Sequence, residues 1–548
     1  MSRTARPARD GERIATRRRP SRALVAAAAC GPLAILLPLA FTLYRAATFG
    51  VDDAIELLWR PLVGELLVNT LSITLAATLA CTLLGTAVAW FIERTDLPAR
   101  PLWTALAAAP LAVPPFITSY AWVSLSLDLQ DFAGALIVLT SAYFPLVYLP
   151  VAAALRELDP ALEESARTLG CSPWHTFFRV VLPQLHPALC GGMLLVALGV
   201  LSEFGAFQLL RFRTFTTEIY AEYRTAFDGG GASLLGCVLI ALCLLCLAIE
   251  ARARGHARYG HTHRAARRVA MRYPLGYLRG PVAVAFAALA AATLGVPLAM
   301  IGYWLAQQGA AAVTPADVSP ELLWQTALAS SGYGLTAAAV TTLLALPLAF
   351  LLVRYPGRVA TVLERTAMTV QGVPGIVVAL AIVSITVRGL QLLYQSAPAL
   401  VAAYAILFLP LAVVSVRAAL SHVQVRLEET ARSLGLGWRA TLVRVVLPLA
   451  APGLGAAATM VFISVVTELN ATLLLSPIGT RTLATQVWSD TATLAFAAAA
   501  PYAALLVALS LGASGLLFLL LGRGGGGGRA PPPRPPPPPP PPTHHPPL

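Results

Sequence analysis

The sequence predicts an all-α polytopic membrane protein with about twelve transmembrane helices in two parallel six-helix repeats. Three observations indicate this fold. Hydrophobic residues make up 57% of the 548-residue chain and charged residues only 12%. Apolar runs of about 20 residues, long enough to cross a bilayer, recur along the chain, and backbone amides in lipid force such runs to be helical. One segment of the sequence also occurs twice.

The apolar runs predict six spans in each half. They lie approximately at 23–43, 67–92, 103–126, 133–155, 186–208, 232–250, 281–304, 331–353, 367–388, 398–419, 449–471 and 496–521. The first run is longer than the apolar region of a cleaved signal peptide, so we expect it to remain as the first anchor.

Arginine-rich segments set the expected orientation. With the arginines of the N-terminal tail in the cytoplasm, most other arginines fall in every second loop, which is the cytoplasmic set. We therefore expect a multi-pass membrane protein with both termini in the cytoplasm. The segments are an Arg-rich tail (1–22), the first repeat (23–250) with a cytoplasmic loop at 156–183, an Arg-rich cytoplasmic linker (251–280), the second repeat (281–521) with a cytoplasmic loop at 421–448, and a disordered Gly/Pro-rich tail (522–548).

The basic residues also exclude some functions. The net charge of +13 is concentrated in the tail and the linker, where it acts as a topology signal, so we expect no nucleic acid partner. All 39 basic residues are arginine. The phosphate-binding loop of an NTPase needs a lysine, so this chain cannot contain one. We expect no catalytic, metal or cofactor site here, and any ATP and Mg²⁺ would bind a separate chain.

The repeated segment is the strongest signal. Residues 162–189 match residues 427–454 at an offset of 265, with 15 of 28 positions identical. The same register aligns Pro145 with Pro410 and Glu203 with Glu468. The repeat therefore includes whole spans, and six spans per half make the repeats parallel.

Each copy of the repeat predicts two short helices on the cytoplasmic side. The first helix is closed by Gly170 or Gly435, since a helix commonly ends at a glycine with positive φ. A second amphipathic helix, expected to lie flat at the membrane surface, runs to the Leu-Pro pair at 182–183 or 447–448, where the proline starts the next span. Such a loop is suited to insertion into a groove of a soluble partner.

The residues of both loops resemble a known motif. They are Glu164, Ser165, Ala166 and Gly170 in the first copy, and Glu429, Thr430, Ala431 and Gly435 in the second. Together with the Val-Val-Leu-Pro strings that follow, they resemble the EAA motif of binding-protein-dependent ABC importer permeases, with Ser165 and Thr430 departing from alanine.

The resemblance implies the type I permease fold of this family and a location in the bacterial inner (plasma) membrane. It implies that the loops are coupling helices that seat two copies of an ATP-binding subunit. It also implies that a periplasmic or lipoprotein solute-binding protein delivers the substrate to a membrane subunit that is not itself an enzyme.

A candidate substrate path follows from acidic residues inside the spans. Glu203 and Glu468 lie late in the fifth helix of each half, expected near the outer leaflet, and ionisable groups at such depth usually face a cavity or partner. Two carboxylates would favour a cation. Alternatively, each glutamate reaches the interface or pairs with Arg211 or Arg481. The third helices are interrupted by Pro110, Pro114, Pro115, Gly372, Pro374 and Gly375, which either line a pore with freed carbonyls or serve packing alone.

The sequence after each glutamate is similar to that of fused ferric iron permeases. The similar stretches are 202–205 with 214–217, and 467–475 with 482–485; Asn470 stands where iron permeases often carry proline. The resemblance implies ferric iron as the substrate, and we expect the substrate path to pass Glu203, Glu468 and Asn470. Thiamine and aminophosphonate permeases share the architecture and stay open as alternatives. A proton-coupled secondary transporter is the rival class.

Overall fold

The computed structural model describes residues 20–226, 228–254, 272–307 and 319–524. Across these ranges the chain is helical and forms no β-strand, which confirms the all-α fold class. Most of the predicted tails (1–22 and 522–548) and of the predicted linker (251–280) lies outside the described residues. The linker's last residues are described and pack against the first half, as shown below.

The first half contains thirteen α-helices. They are α1 (Arg22–Ala47), α2 (Val51–Leu58), α3 (Pro61–Arg94), α4 (Arg100–Ala108), α5 (Pro115–Leu125), α6 (Phe132–Tyr143), α7 (Pro145–Glu157), α8 (Pro160–Thr168), α9 (Pro173–Thr176), α10 (Leu182–Ser202), α11 (Gly205–Leu209), α12 (Phe215–Arg224) and α13 (Gly229–Arg254).

The second half contains twelve. They are α14 (Arg279–Ala290), α15 (Val296–Ala306), α16 (Pro320–Arg354), α17 (Arg358–Thr369), α18 (Gly375–Gly389), α19 (Ala397–Ser421), α20 (Val425–Ser433), α21 (Trp438–Thr441), α22 (Leu447–Val466), α23 (Asn470–Leu475), α24 (Leu483–Ala492) and α25 (Phe496–Gly524). Short 3₁₀ and π segments connect several of them.

Ten helical segments of the described chain are long and apolar enough to cross a membrane as single spans. The two remaining predicted spans are broken. Arg100–Ala112 and Pro115–Leu125 meet at 93°, and Arg358–Gly372 and Gly375–Gly389 meet at 102°. These are the third helices of the two halves, where the sequence predicted proline and glycine breaks.

A Val-Pro pair causes each break. Val113 and Val373 adopt extended backbone (φ −105° and −119°), as expected for a residue before proline. Pro114 and Pro374 follow with φ −58° and precede the next helix. Because proline has a fixed φ and no N–H, it suits the start of a helix and not its interior.

Side-chain contacts show that the first broken helix crosses the bundle. At the end of α3, Glu93 accepts hydrogen bonds from Arg100 (Nη2–Oε2 3.1 Å) at the start of α4 and from Arg156 (Nε–Oε1 2.9 Å) at the end of α7. These three helix ends therefore share one face. Since α6 and α7 form one span, Phe132–Glu157, the start of α6 lies at the opposite face. The broken helix connects the two faces.

The second broken helix follows the same course. Arg354, at the end of α16, binds Glu428 (Nε–Oε1 2.8 Å) after the end of α19, and Glu364 of α17 forms an ion pair with Arg417 near the end of α19. Each half therefore has six crossings, and α8 and α20 share one face, here called the coupling face.

The first span of each half packs against the other half. Helix α1 contacts α16, α17 and α18, whereas α14 contacts α4, and α15 contacts both α5 and α25. The two repeats are thus interlocked through their leading spans.

The segment after each repeated loop differs from its prediction. Trp174–Ser202 and Trp438–Val466 are single continuous helices, so no separate helix lies flat at the membrane surface. A π segment at Phe177–Val181 or Leu442–Val446 precedes Pro183 or Pro448. Such a bulge relieves the missing hydrogen bond and the clash of a proline, and the helix continues through it.

Candidate coupling loops and translocation cavity

The first loop helix, α8, is defined at both ends by its own residues. The Asp159 side chain accepts a hydrogen bond from Ala161 N (3.0 Å) at the helix start. At the helix end, Gly170 has φ +85°, and Cys171 N donates to Ala166 O (3.1 Å). Glycine adopts this left-handed backbone without strain, which explains its place in the motif.

The second loop helix, α20, ends in the same way. Gly435 has φ +87°, and Leu436 N donates to Ala431 O (3.1 Å). The two helices therefore close with matching geometry. The predicted glycines thus occupy the turn that the motif spacing indicated.

The other motif residues lie on the surface of the loops. Glu164 is half-buried and Glu429 is exposed. The Ser165 and Thr430 hydroxyls donate to the carbonyls of Ala161 (2.7 Å) and Arg426 (2.9 Å), one turn earlier in the same helices. Next to the glycines, Leu169 and Leu434 are 84% and 79% exposed. Each loop thus presents an apolar tip and a carboxylate to its surroundings.

The residues that hold the loops in place were missed from the sequence. Glu163 of α8 forms an ion pair with Arg94 (Nη2–Oε1 2.7 Å), and the two side chains are 4% and 1% exposed. Glu428 of α20 pairs with Arg354 (Nη2–Oε1 2.5 Å). Burial raises the pKa of Glu163 above its ordinary value, and the charge of Arg94 opposes this effect.

A cavity of about 200 Å³ lies between the two halves. Its lining includes the break of the first half's third helix, part of the Phe132–Glu157 span, and the segments that follow the fifth helix of each half. The lining residues are Pro110, Leu111, Val113, Pro114, Pro115, Phe116, Ala142, Tyr143, Leu146, Glu203, Gly205, Thr467, Glu468, Leu469 and Asn470. The predicted path residues Glu203, Glu468 and Asn470 are thus brought together. Their role in transport stays a prediction.

The cavity lies deeper than the sequence predicted. Ala142, Tyr143 and Leu146 are near the middle of the Phe132–Glu157 span, so the two glutamates lie at mid-height and not near the outer leaflet. The reason is that α10 and α22 end early, at Ser202 and Val466. The short helices α11 and α23 then occupy the remaining depth.

Each glutamate caps the short helix that follows it. Glu203 Oε1 accepts from Ala206 N (3.0 Å), and Glu468 Oε1 accepts from Ala471 N (3.1 Å). Negative charge is favoured at a helix N-terminus. In the described part of the chain, neither carboxylate forms an ion pair, so the alternative pairing with Arg211 or Arg481 is wrong.

The two carboxylates differ in the side-chain hydrogen bonds that they accept. Tyr143 Oη donates to Glu203 Oε2 (2.8 Å), whereas the repeat register places Phe408 at the equivalent position in the second half. Among the described residues, no side chain donates to Glu468, whose carboxylate accepts from the backbone N–H groups of Asn470 and Ala471. Asn470 Nδ2 donates to Ser202 O (3.2 Å) across the interface between the halves. Carboxylate and carbonyl oxygens are ligands for hard cations, and this cavity provides both.

Two parallel six-span repeats with matching loops on one face, and with a polar cavity between them, define a membrane transport subunit. The chain belongs to the family described as binding-protein-dependent transport system inner membrane component, whose model matches residues 81–253 and 341–523. It is therefore a permease subunit of the ABC importer class. This agrees with the EAA resemblance of the two loops.

Several relatives are permeases for inorganic ions. The chain is 35% identical over 480 residues to the Fe(3+)-transport system permease protein FbpB 2 of Haemophilus influenzae, covering 87% of this chain and 94% of that protein. It is 30% identical over 235 residues to the sulfate transport system permease protein CysT of Escherichia coli, covering 39% and 85%. It is 26% identical over 217 residues to the molybdenum transport system permease protein ModB of Escherichia coli, covering 35% and 91%.

Proposed function

We propose that this chain imports ferric iron delivered by a solute-binding protein, with ATP hydrolysed by two separate ATP-binding subunits. The observation that carries the proposal is the cavity between the halves, which contains Glu203 and Glu468 at equivalent positions. Two carboxylates at mid-height attract a cation and repel an anion. The full-length similarity to a protein named as an Fe(3+) permease supports the same substrate.

The acidic cavity argues against the substrates named for the shorter relatives. Sulfate and molybdate are oxyanions and would meet the two carboxylates with like charge. Such a juxtaposition is unfavourable in a site that excludes most water. Those relatives also match only 39% and 35% of this chain.

The exposed loops on the coupling face fit the proposed ATP-binding partners. One subunit would bind α8 with Leu169, and the other α20 with Leu434, so that each half receives one partner. This assignment places the coupling face and both chain termini in the cytoplasm. ATP must bind the inward-open and outward-open forms unequally for hydrolysis to drive transport.

Transport by the reconstituted complex tests the substrate. Proteoliposomes would contain this chain with its ATP-binding and solute-binding partner proteins. Uptake of radiolabelled Fe(III) would be compared with uptake of sulfate, molybdate, thiamine and an aminophosphonate. ATP-dependent uptake of Fe(III) alone is the expected result. If another solute is taken up instead, that solute and not ferric iron is the substrate. Uptake without ATP would favour a proton-coupled secondary transporter.

Charge reversal on the loops tests the coupling role. Glu429→Arg and Glu164→Arg should each abolish ATP-dependent uptake while membrane insertion stays normal, because the partner would meet a reversed charge. Glu157→Arg is the matched control, since Glu157 is exposed at the end of α7 but lies outside α8. If uptake survives in both loop variants, α8 and α20 do not couple ATP hydrolysis to transport.

A further inference from the structure

The residues that lead into the second half are bound to the first coupling loop. Tyr273 N donates to Arg94 O (2.8 Å), and Asp96 N donates to Tyr273 O (3.3 Å). Leu275 N donates to Asp96 Oδ1 (2.9 Å), and Arg279 forms an ion pair with the same carboxylate. These contacts fix residues 272–279, here called the leading segment, against the end of α3.

The Tyr273 ring lies between α3 and α8. It stacks on Trp90 of α3 with ring centroids 5.7 Å apart and an interplanar angle of 28°. The Arg167 guanidinium of α8 lies 5.6 Å from the centre of the Tyr273 ring. Stacking and cation–π contacts of this kind hold elements together with defined geometry. The aromatic ring of one half thus positions the loop helix of the other.

The second coupling loop has the same arrangement built from its own residues. Arg432 of α20, the repeat equivalent of Arg167, lies 5.5 Å from the centre of the Trp438 ring. Trp438 in turn contacts Phe350 of α16 edge-on at 5.2 Å. Phe350 and Trp90 precede the pairing arginines, Arg354 and Arg94, by one helical turn. The two sites therefore correspond in position, but the ring pair is stacked in the first and edge-on in the second, and the aromatic ring over the arginine comes from a different segment.

A one-residue difference in the loops explains why Tyr273 supplies the ring in the first site and Trp438 supplies it in the second. Trp174 stands one position further from Gly170 than Trp438 does from Gly435. The Trp174 ring is exposed and stacks on Phe178 instead of meeting Arg167. The place between Arg167 and Trp90 is filled by Tyr273.

We propose that Tyr273 is a positioning residue of the first coupling loop, contributed by the second half, and that it links movement of α8 to α14. This proposal rests on the coupling role proposed above. The leading segment continues directly into α14 and α15, and α15 packs on α5, whose first residues, Pro115 and Phe116, line the cavity. Displacement of α8 is thus passed to the broken helix at the cavity. The Asp96–Arg279 ion pair is partly exposed and adds little to the attachment of the leading segment. The Tyr273 ring is therefore the main connection between the leading segment and α8.

The test uses the full transporter with its ATP-binding and solute-binding partners in proteoliposomes. Tyr273→Ala and Tyr273→Leu remove the aromatic ring, and Tyr273→Phe retains it. For the first two we expect solute uptake per ATP hydrolysed to fall about tenfold, as loss of both ring contacts predicts. ATP hydrolysis in the absence of the solute-binding protein should stay near the wild-type rate. Tyr273→Phe should restore the wild-type ratio.

The outcomes separate this inference from the function on which it rests. If the wild type shows no ATP-dependent uptake, the coupling role itself fails. If the wild type transports and Tyr273→Leu has an unchanged uptake-to-ATP ratio, only the role of Tyr273 is overturned. Loss of the ATP-binding partners in the Ala and Leu variants would overturn the proposed link to α14, because Tyr273 would then act in docking alone. Trp438→Ala is the matched variant in the second half and should reduce the ratio similarly.

Discussion

The two buried ion pairs behind the loops place opposite charges where water is nearly excluded. Arg94 and Glu163 are almost fully buried, so neither charge is stabilised without the other. The pair joins α8 to α3 and the second pair joins α20 to α16. Each loop is therefore attached to a membrane span by a contact that tolerates no single substitution.

Removing one charge of the first pair should be strongly destabilising and pH-dependent. We expect Arg94→Ala to lower the free energy of unfolding by about 3–5 kcal/mol, because Glu163 is left buried and unpaired. Without Arg94, the pKa of Glu163 rises further. Between its ordinary and its raised pKa, the folded protein then binds more protons than the unfolded one, so the stability of the variant falls as pH rises. Thermal unfolding in detergent at several pH values measures this.

The double variant Arg94→Ala/Glu163→Gln serves as the control. It has no buried carboxylate at this position, so its stability should lack the added pH dependence. If the single variant unfolds with the same pH dependence as the double variant, Glu163 is not responsible.

The unequal partners of the cavity glutamates predict unequal roles. Glu203 is satisfied by Tyr143 and Ala206, whereas no side chain in the described chain donates to Glu468. Glu468→Gln should lower the apparent affinity for transported Fe(III) about tenfold, equal to about 1.4 kcal/mol. Glu203→Gln should lower it by less than about threefold. Equal effects in concentration-dependent uptake assays would show that the Tyr143 contact does not distinguish the two.

The repeat offset explains why the sequence identified the cavity glutamates and missed the ion pairs. Glu203 and Glu468 share the offset of 265 with the loops, so the comparison of the two repeats identified them together. Arg94 and Arg354 are 260 residues apart, whereas Glu163 and Glu428 are 265 apart. The register changes because α18, with 15 residues, is longer than α5, with 11. A single offset therefore could not align both partners of the pair.

At the scale of elements, close approach of helices depends on small residues. Helix α10 contacts α7 at Gly192, where an added Cβ would lie 2.9 Å from Val147 Cα and 3.2 Å from Leu146 O. These are backbone atoms and cannot move independently of α7. The adjacent Gly191 has no such neighbour within 4 Å. Small residues at helix interfaces in lipid allow this kind of backbone contact.

The two glycines offer a matched comparison on one helix. Gly192→Ala should destabilise the protein by about 1–3 kcal/mol through overpacking against α7. Gly191→Ala should leave stability unchanged or raise it slightly, since alanine favours helix. Thermal unfolding of both variants in the same detergent measures the difference. Similar midpoints for the two would mean that α7 and α10 can separate without loss of stability.

Element boundaries show what local sequence can and cannot decide. The prolines and glycines of the third helices, among them Pro114 and Pro374, predicted the breaks because proline acts on its immediate neighbours. The π segments before Pro183 and Pro448 were not predicted, since a bulge that carries a helix past a proline depends on the packing of the whole span. The predicted position of Glu203 and Glu468 near the outer leaflet was likewise wrong, because α10 and α22 end just before these glutamates while apolar sequence resumes in α11 and α23.

At the scale of the whole molecule, the shared face of α8 and α20 depends on the second broken helix, α17 with α18, crossing the membrane. Six crossings then separate the end of α7 from the end of α19, so α8 and α20 lie on one face. If this broken helix instead returned to its starting face, five crossings would separate the two loops. The loops would then lie on opposite faces, and two ATP-binding subunits on one side could not engage both.

Cysteine labelling with a membrane-impermeant thiol reagent decides between these arrangements. Leu169→Cys and Leu434→Cys, in a background with Cys30 and Cys171 replaced by serine, should both react in inside-out vesicles and not in right-side-out vesicles. Leu392→Cys is the opposite-face control, because Leu392 is 98% exposed and lies between α18 and the start of α19. It should react only in right-side-out vesicles. Reaction of Leu169→Cys and Leu434→Cys from opposite sides would show that a broken helix does not cross, and a shared cytoplasmic motor face would be excluded.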